Sequence, residues 1–197
     1  ARFVVDLQHE LPGARWQRAS TVTGPLRAVK DEHEVAALRR AGAAADRVAA
    51  ALQQGDVALV GRTEAEVSAE LGARLLAEGH HRVNFAIVAA GENAASPHHE
   101  PGPRVIRSGE VVLCDFGGTM LTEVGAGYCS DITRCVVTGE PGSEVADAYA
   151  ALHHAQQAAV AAARVGTTCE AVDAVAARGE ASVVAEEHDR SVADRHR

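Results

Sequence analysis

The chain has 197 residues, of which 47% are hydrophobic and 23% are charged, so it suits one globular domain and is not a disordered polyelectrolyte. Its 19 basic and 27 acidic residues give a formal net charge of −8, which argues against nucleic acid or a membrane surface as a partner. No apolar run has the length of a membrane span and no hydrophobic leader opens the sequence, so we expect a cytoplasmic protein with reduced cysteines.

Small side chains dominate the predicted helices, because alanine occurs 41 times and aromatic residues make up only 3% of the chain. We therefore expect a core that is thin for the length of the chain. Two helices begin with a capping-box pattern, in which a glutamate follows the N-cap residue by three positions. These patterns predict one helix from Asp31 to Gly55 and a second from Thr63 to Gly79.

Strands are predicted after the second helix. Residues 83–87 alternate in polarity as a strand does, and residues 91–102 contain prolines and histidines typical of a loop. Residues 111–116 form an apolar run that predicts a strand buried on both faces, ended by Gly117-Gly118. A return strand over 128–137 would complete an antiparallel hairpin.

Further helices are predicted from Ser143, as an N-cap, and from Thr167. In residues 180–197 the apolar spacing is lost, which indicates an irregular tail. Residues 1–25 contain two prolines and two glycines and are interpreted as the end of a preceding domain followed by a linker. The central domain, residues 26–179, is then of the α+β class, with helices packed on an antiparallel sheet.

Two aspartates carry the clearest chemical signal. Asp115 lies in an apolar strand, where a carboxylate is costly unless it is paired or bound to a metal, and Asp131 lies on the return strand. Facing carboxylates repel unless a proton or cation lies between them, and their hard oxygens suit Mn²⁺, Mg²⁺ or Zn²⁺. The alternative interpretation pairs Asp131 with Arg134 or another arginine and lets Asp115 cap a turn at Gly117-Gly118.

His98 is the second candidate site residue, because it follows Pro97 in the loop before the aspartate strand. An imidazole there can donate a hydrogen bond to a substrate carbonyl or stabilise an oxyanion. The alternative is that His98 and His99 are solvent-exposed loop residues. The His80-His81 pair is expected at a helix end, without a functional role.

Four segments in order along the chain resemble motifs of the creatinase/aminopeptidase P/prolidase family. Residues 26–34 (LRAVKDEHE) are similar to the start of its catalytic domain, and residues 85–98 (FAIVAAGENAASPH) to its loop-histidine motif. Residues 109–118 (GEVVLCDFGG) and 127–134 (GYCSDITR) are similar to its two aspartate motifs. The resemblance implies the pita-bread fold, in which two pseudo-symmetric halves each pack helices on antiparallel strands.

The resemblance also implies a metallopeptidase that hydrolyses N-terminal Xaa-Pro bonds of peptides. Family members of this kind hold two divalent ions (manganese, cobalt or zinc) with two Asp, one His and two Glu side chains. The matching motifs assign two metal ligands to Asp115 and Asp131, and contact with the substrate and transition state to His98. Two ions would activate a bridging water and clamp the tetrahedral intermediate.

The sequence departs from the family pattern in two places. The loop between the two aspartates is about five residues longer than usual, which a surface loop absorbs at small entropic cost. The motif that supplies the other three ligands is not found, since Glu186, Glu187 and His188 lie in an unrelated context. We therefore expect a C-terminally truncated, partial pita-bread fold.

From this incomplete ligand set we expect weak or absent metal binding and an inactive chain. The missing half would also leave an apolar face that favours homo-oligomers. Two alternatives remain: a non-catalytic remnant or binding module of the same fold, and a creatinase-like hydrolase that needs no metal. The aspartate pair favours the metal-dependent branch over the last of these.

Overall fold

A computed structural model describes residues 2–178, in which helices pack on one face of a small antiparallel sheet. The predicted tail, 180–197, lies outside the described residues. The helices are α1 (Arg2–Glu10), α2 (Ser20–Ala28), α3 (Glu32–Gln54), α4 (Glu64–Ala77), α5 (Ser143–Ala162) and α6 (169–178), and a short 3₁₀ helix spans Gly91–Ala95. The strands are β1 (Arg82–Ala90), β2 (Val111–Leu121), β3 (Gly127–Cys129) and β4 (Ile132–Val137).

Both predicted capping boxes are confirmed. The Glu34 N–H donates to the Asp31 side chain at 2.8 Å, and the Asp31 N–H donates to the Glu34 carboxylate at 2.9 Å. Thr63 and Glu66 make the same reciprocal pair at the start of α4. Gly55 ends α3 in the left-handed conformation, with φ of +86°, which glycine adopts without steric cost. These local contacts fix where α3 and α4 begin.

Other helix boundaries differ from the sequence predictions. Gly142 has the extended backbone of the cap position, so Ser143 is already helical and caps nothing. The start of α6 is capped by the Thr168 side chain, one residue after the predicted Thr167. The N-terminal segment, predicted as the end of a preceding domain followed by a linker, contains α1 and most of α2, and α2 includes Pro25.

The sheet is built around β2, which is antiparallel to β1 on one side and to β3 and β4 on the other. Thr119 pairs with Cys129 and Phe116 with Ile132, so β3 and β4 keep one register across the break between them. The predicted return strand is therefore confirmed, with an interruption at residues 130–131.

The prediction that Gly117-Gly118 ends the aspartate strand is wrong, because β2 continues through both glycines to Leu121. The glycines are there because other groups come too close for a side chain. A Cβ on Gly117 would overlap the Ser130 carbonyl oxygen, and a Cβ on Gly118 would lie 2.6 Å from the Arg82 oxygen. The pair marks a close approach within the sheet and not a turn.

The core lies between the sheet and the helices α3 and α4. Its buried side chains are mostly small, as expected from the composition, and Phe116 is the largest of those that are fully buried. The opposite face of β2, which carries Leu113 and Asp115, is only partly covered, so the expected burial of both faces is wrong.

Helix α5 packs on none of the other elements named above except its neighbour α6, and residues such as Tyr149 and Leu152 on it are exposed. No helix within residues 2–178 combines the length and apolarity of a membrane span.

Candidate functional site

The partly covered face of β2 holds Asp115. Its backbone pairs with Ile87 on β1 and with Thr133 on β4, so three neighbouring side chains share this face. The Thr133 hydroxyl donates a hydrogen bond of 2.9 Å to Asp115 Oδ1. Since a threonine hydroxyl is neutral, this contact orients the carboxylate without neutralising its charge, and no arginine or lysine among residues 2–178 pairs with Asp115.

Asp131 lies in the break between β3 and β4, one residue before Ile132. Ser130 and Ile132 both turn toward the helix side of the sheet, where Ser130 is buried against His80 and Ile132 packs on the core. The side chain of Asp131 is exposed, and regular alternation through the break would direct it to the face of Asp115. Continuing the register sets Asp131 opposite Gly117 and diagonal to Asp115, a relation that in a regular sheet corresponds to about 7–8 Å between Cα atoms.

The alternative interpretation of the aspartates is wrong for the part of the chain that the structure describes. Arg134 donates to the Thr133 carbonyl oxygen and forms no ion pair with Asp131. Asp115 caps no turn at Gly117-Gly118, because that segment is extended strand. Two hard oxygen donors without an arginine or lysine partner suit the first ligands of a divalent ion. No cluster of three or more His, Cys, Asp or Glu ligands occurs among residues 2–178.

His98 lies in a tight turn on the loop that follows β1. The His99 N–H donates to the Ser96 oxygen at 3.2 Å across this turn, and Pro97 occupies its second position. His98 has φ of +57°, which makes it the one non-glycine residue with positive φ in the described chain. A turn with proline second and positive φ third is of type II, and that third position strongly favours glycine. The exposed histidine therefore carries a backbone cost at this position that glycine would not.

Replacing His98 by glycine and by alanine will expose this strain. We expect His98→Gly to be more stable than His98→Ala by about 1 kcal/mol, because only glycine adopts positive φ without cost. Urea unfolding followed by circular dichroism measures the difference. The same two substitutions at exposed Glu100, where φ is not positive, should give the opposite order, with alanine at least as stable. If the glycine and alanine variants rank in the same order of stability at both positions, the strained turn at His98 is contradicted.

Sequence reasoning missed a buried carboxylate next to this loop. Glu64, the first residue of α4, is 0% exposed and accepts hydrogen bonds from the Ala90 N–H at 2.8 Å, from Asn93 at 3.0 Å and from His99 Nε2 at 2.8 Å. Burial alone would raise the pKa of Glu64, yet these hydrogen bonds outweigh it and lower that pKa. In the sequence, Glu64 looks like any acidic residue in the first turn of a helix, where the helix dipole favours a negative charge.

The far end of the loop has its own anchor. Arg104 binds Glu110 at 2.8 Å and Glu92 at 3.2 Å. The Arg104 guanidinium, with the Arg107 N–H, lowers the pKa of Glu110 to about 2. Since Glu92 lies in the 3₁₀ helix and Glu110 precedes β2, this ion-pair set ties the loop to the strand that carries Asp115.

His80 is a second residue whose role the sequence did not indicate. Its ring is 4% exposed, with Nδ1 3.1 Å from the Leu75 oxygen and Nε2 2.8 Å from the Ser130 hydroxyl. The Gly118 N–H also donates to that hydroxyl. His80 therefore lies at the helix end, as expected, and links the last turn of α4 to the strand break that holds Asp131.

Comparison with known proteins places these motifs in context. The chain is 48% identical over 158 residues to a probable dipeptidase PepE of Mycobacterium tuberculosis, which covers 80% of the chain and 40% of that protein. It is 39% identical over 154 residues to an Xaa-Pro dipeptidase of Lactobacillus delbrueckii, covering 77% of the chain and 40% of that enzyme. The chain thus spans less than half the length of these curated relatives.

Solved structures show the same relationship. The prolidase of Thermococcus sibiricus superimposes with a TM-score of 0.82 at 33% identity, over 95% of this chain and 48% of the prolidase. The dipeptidase PepE of Mycobacterium ulcerans gives a TM-score of 0.77 at 44% identity, over 83% of this chain and 43% of that structure. The expected partial pita-bread fold of the α+β class is therefore confirmed. Residues 36–181 match the profile of metallopeptidase family M24, and on this evidence of sequence and fold together the chain belongs to that family.

Proposed function

We propose that this chain carries half of the active centre of an Xaa-Pro dipeptidase, with Asp115 and Asp131 as metal ligands and His98 as the residue that contacts the substrate. The observation that carries the proposal is a pair of carboxylates, Asp115 on β2 and Asp131 at the break in the neighbouring strand, neither of which forms an ion pair with a residue in the range 2–178. The Lactobacillus relative, an Xaa-Pro dipeptidase, supplies the substrate class, a dipeptide with proline in second position.

The donor set suits a divalent ion in its chemistry, because both ligands are carboxylates and manganese, cobalt and zinc all accept them. When bound, such ions polarise the scissile carbonyl and lower the pKa of a coordinated water. Thr133 holds Asp115 in one orientation through its hydroxyl. His98, on its loop, would donate a hydrogen bond to the substrate carbonyl oxygen as negative charge develops on it.

The loop of His98 starts on the strand next to Asp115. It leaves β1 at Ala90, which pairs with Val112, whereas Ile87 pairs with Asp115. Three residues of β1 separate the two points, so the base of the loop lies about 10 Å along the sheet from Asp115.

We propose further that the 197-residue chain does not turn over substrate by itself. Two carboxylates leave most coordination positions of a divalent ion to water, so the affinity for metal is low. In the same proposal, residues 26–179 form the partial catalytic domain, residues 1–25 belong to a preceding domain and linker, and the protein acts in the cytoplasm. The exposed apolar side chains of α5 favour association between copies of the chain.

Manganese titration of the purified chain tests the assignment. We expect weak binding by calorimetry, and we expect Asp115→Asn or Asp131→Asn to weaken it at least tenfold, because each substitution removes one of two anionic ligands. Asp46→Asn, at an exposed position on α3, is the matched control and should leave binding unchanged. Binding that survives the double Asp115→Asn, Asp131→Asn substitution would refute the site.

An Xaa-Pro dipeptide assay with Mn²⁺ tests the activity of the chain separately. No turnover is the expected result. Turnover that Asp115→Ala abolishes would contradict the inactivity of the chain while supporting the role of Asp115.

A further inference from the structure

Glu64 forms hydrogen bonds to three parts of the loop that carries His98, and the proposed mechanism gives Glu64 no role. Its donors come from the end of β1 (Ala90), from the 3₁₀ helix (Asn93) and from the residue after the tight turn (His99). One fully buried carboxylate thus binds both ends of the 90–99 segment. A buried carboxylate is costly by itself, so its presence here requires that these three groups converge on it.

His98 lies within the segment that these contacts hold at both ends. It is adjacent to His99, its side chain is exposed, and it makes no hydrogen bond among the residues that the structure describes. Its backbone has positive φ, a conformation that an L-residue leaves readily unless the surrounding structure holds it. The fixed neighbour on its C-terminal side is His99, whose ring donates to Glu64 at 2.8 Å and is itself mostly buried.

We propose that Glu64 is a positioning residue, whose carboxylate holds Ala90, Asn93 and His99 so that the turn presents His98 in its left-handed conformation. The functional meaning of this inference rests on the proposed role of His98 toward substrate. Glu64 itself is buried in the core, at the start of α4, and touches the site only through the loop.

The chemistry of the contacts calls for a carboxylate at this position. Every group that faces Glu64 is a donor: a backbone N–H, an amide NH₂ and an imidazole N–H. An ionised carboxylate is an acceptor only and satisfies all three. A glutamine has one acceptor oxygen and two N–H donors. It leaves the Ala90 N–H unpaired, or keeps that bond only if His99 moves its ring proton to Nδ1, and in both arrangements the loop loses its bonds to an anion.

Amide hydrogen exchange and histidine NMR on the full 197-residue chain test this role. In Glu64→Gln we expect exchange protection in residues 90–99 to fall at least tenfold, while β2 and the rest of α4 change less than twofold. The Cα chemical shift of His98, which reports its φ, should move away from its left-handed value. A merely structural role would lower protection across all elements equally and leave the His98 shift in place in the folded fraction.

Glu70→Gln is the matched control, because Glu70 lies on the same helix and binds Arg62 and Arg74 but no residue of the loop. It should change neither the protection of residues 90–99 nor the His98 shift. If Glu64→Gln does not fold, His99→Phe decides the question, since it keeps a ring, removes the donor and keeps the carboxylate. The same local loss of protection in His99→Phe supports the proposal, and unchanged protection overturns it.

An unchanged loop in folded Glu64→Gln would also overturn the proposal, as would a loss spread evenly over β1, β2 and α4. None of these readouts uses metal or peptide. Failure of the manganese titration would therefore refute the proposed metal site and leave the role of Glu64 in holding the turn to be judged by exchange alone.

Discussion

Gly117→Ala is expected to destabilise the fold by about 3 kcal/mol or more, because the new methyl group would overlap the Ser130 carbonyl oxygen and approach the Phe85 ring. Neither obstacle is the free end of a flexible side chain, since one is backbone and the other is a ring packed on the sheet. Relief requires β2 to move away from the segment that contains Asp131. Urea unfolding of the variant and of the parent chain measures the loss.

Gly42→Ala provides the control for this substitution. Gly42 lies inside α3, and a Cβ there would meet no atom within 4 Å. The alanine should therefore stabilise the chain by about 0.5–1 kcal/mol through its better helix propensity. If Gly117→Ala is as well tolerated as Gly42→Ala, the close approach of the two strands is not present in solution.

Phe116→Ala is expected to cost about 3–5 kcal/mol, a large share of the 5–15 kcal/mol typical of a domain. Phe116 is the largest fully buried side chain described, and its neighbours in the core are mainly alanine, valine and leucine. Small side chains fixed on helices cannot collapse far into the space that the ring would leave. The cavity term should therefore add to the lost burial of the ring.

Phe3→Ala is the matched substitution at the surface, because Phe3 is 73% exposed on α1. It should change the free energy of unfolding by less than about 0.5 kcal/mol. Chemical denaturation of the two variants under identical conditions gives the comparison. Similar losses at both positions would show that Phe116 does not lie in a packed core.

The elements that sequence reasoning predicted well are those whose causes are local. The capping boxes at Asp31 and Thr63 need only a glutamate three residues away, and both helices begin where these pairs predict. The left-handed glycine that ends α3 is equally local. By contrast, the extended backbone at Gly117-Gly118 depends on Ser130, His80 and Arg82, which come close only after the sheet has formed.

The same distinction separates the parts of the candidate site. Asp115 stood out because its strand is apolar, and Asp131 because it lies on the predicted return strand. The structure pairs Asp115 with Thr133 on β4 and places Asp131 in the break just before that strand, so the assignment of both as ligands stays a prediction. Glu64 did not stand out, because its donors lie 26 to 35 positions away in the sequence. Nothing in a helical first turn distinguishes an acid that faces water from one that faces the interior.

The capping box of α4 therefore has a consequence for the loop. An α-helix turns by about 100° per residue, so a start displaced by a single position would rotate Glu64 away from Ala90, Asn93 and His99. Thr63 and Glu66 set the rotational phase of α4, and with it the direction in which Glu64 points. A pair of surface contacts at one helix end thus determines which way a carboxylate faces inside the protein.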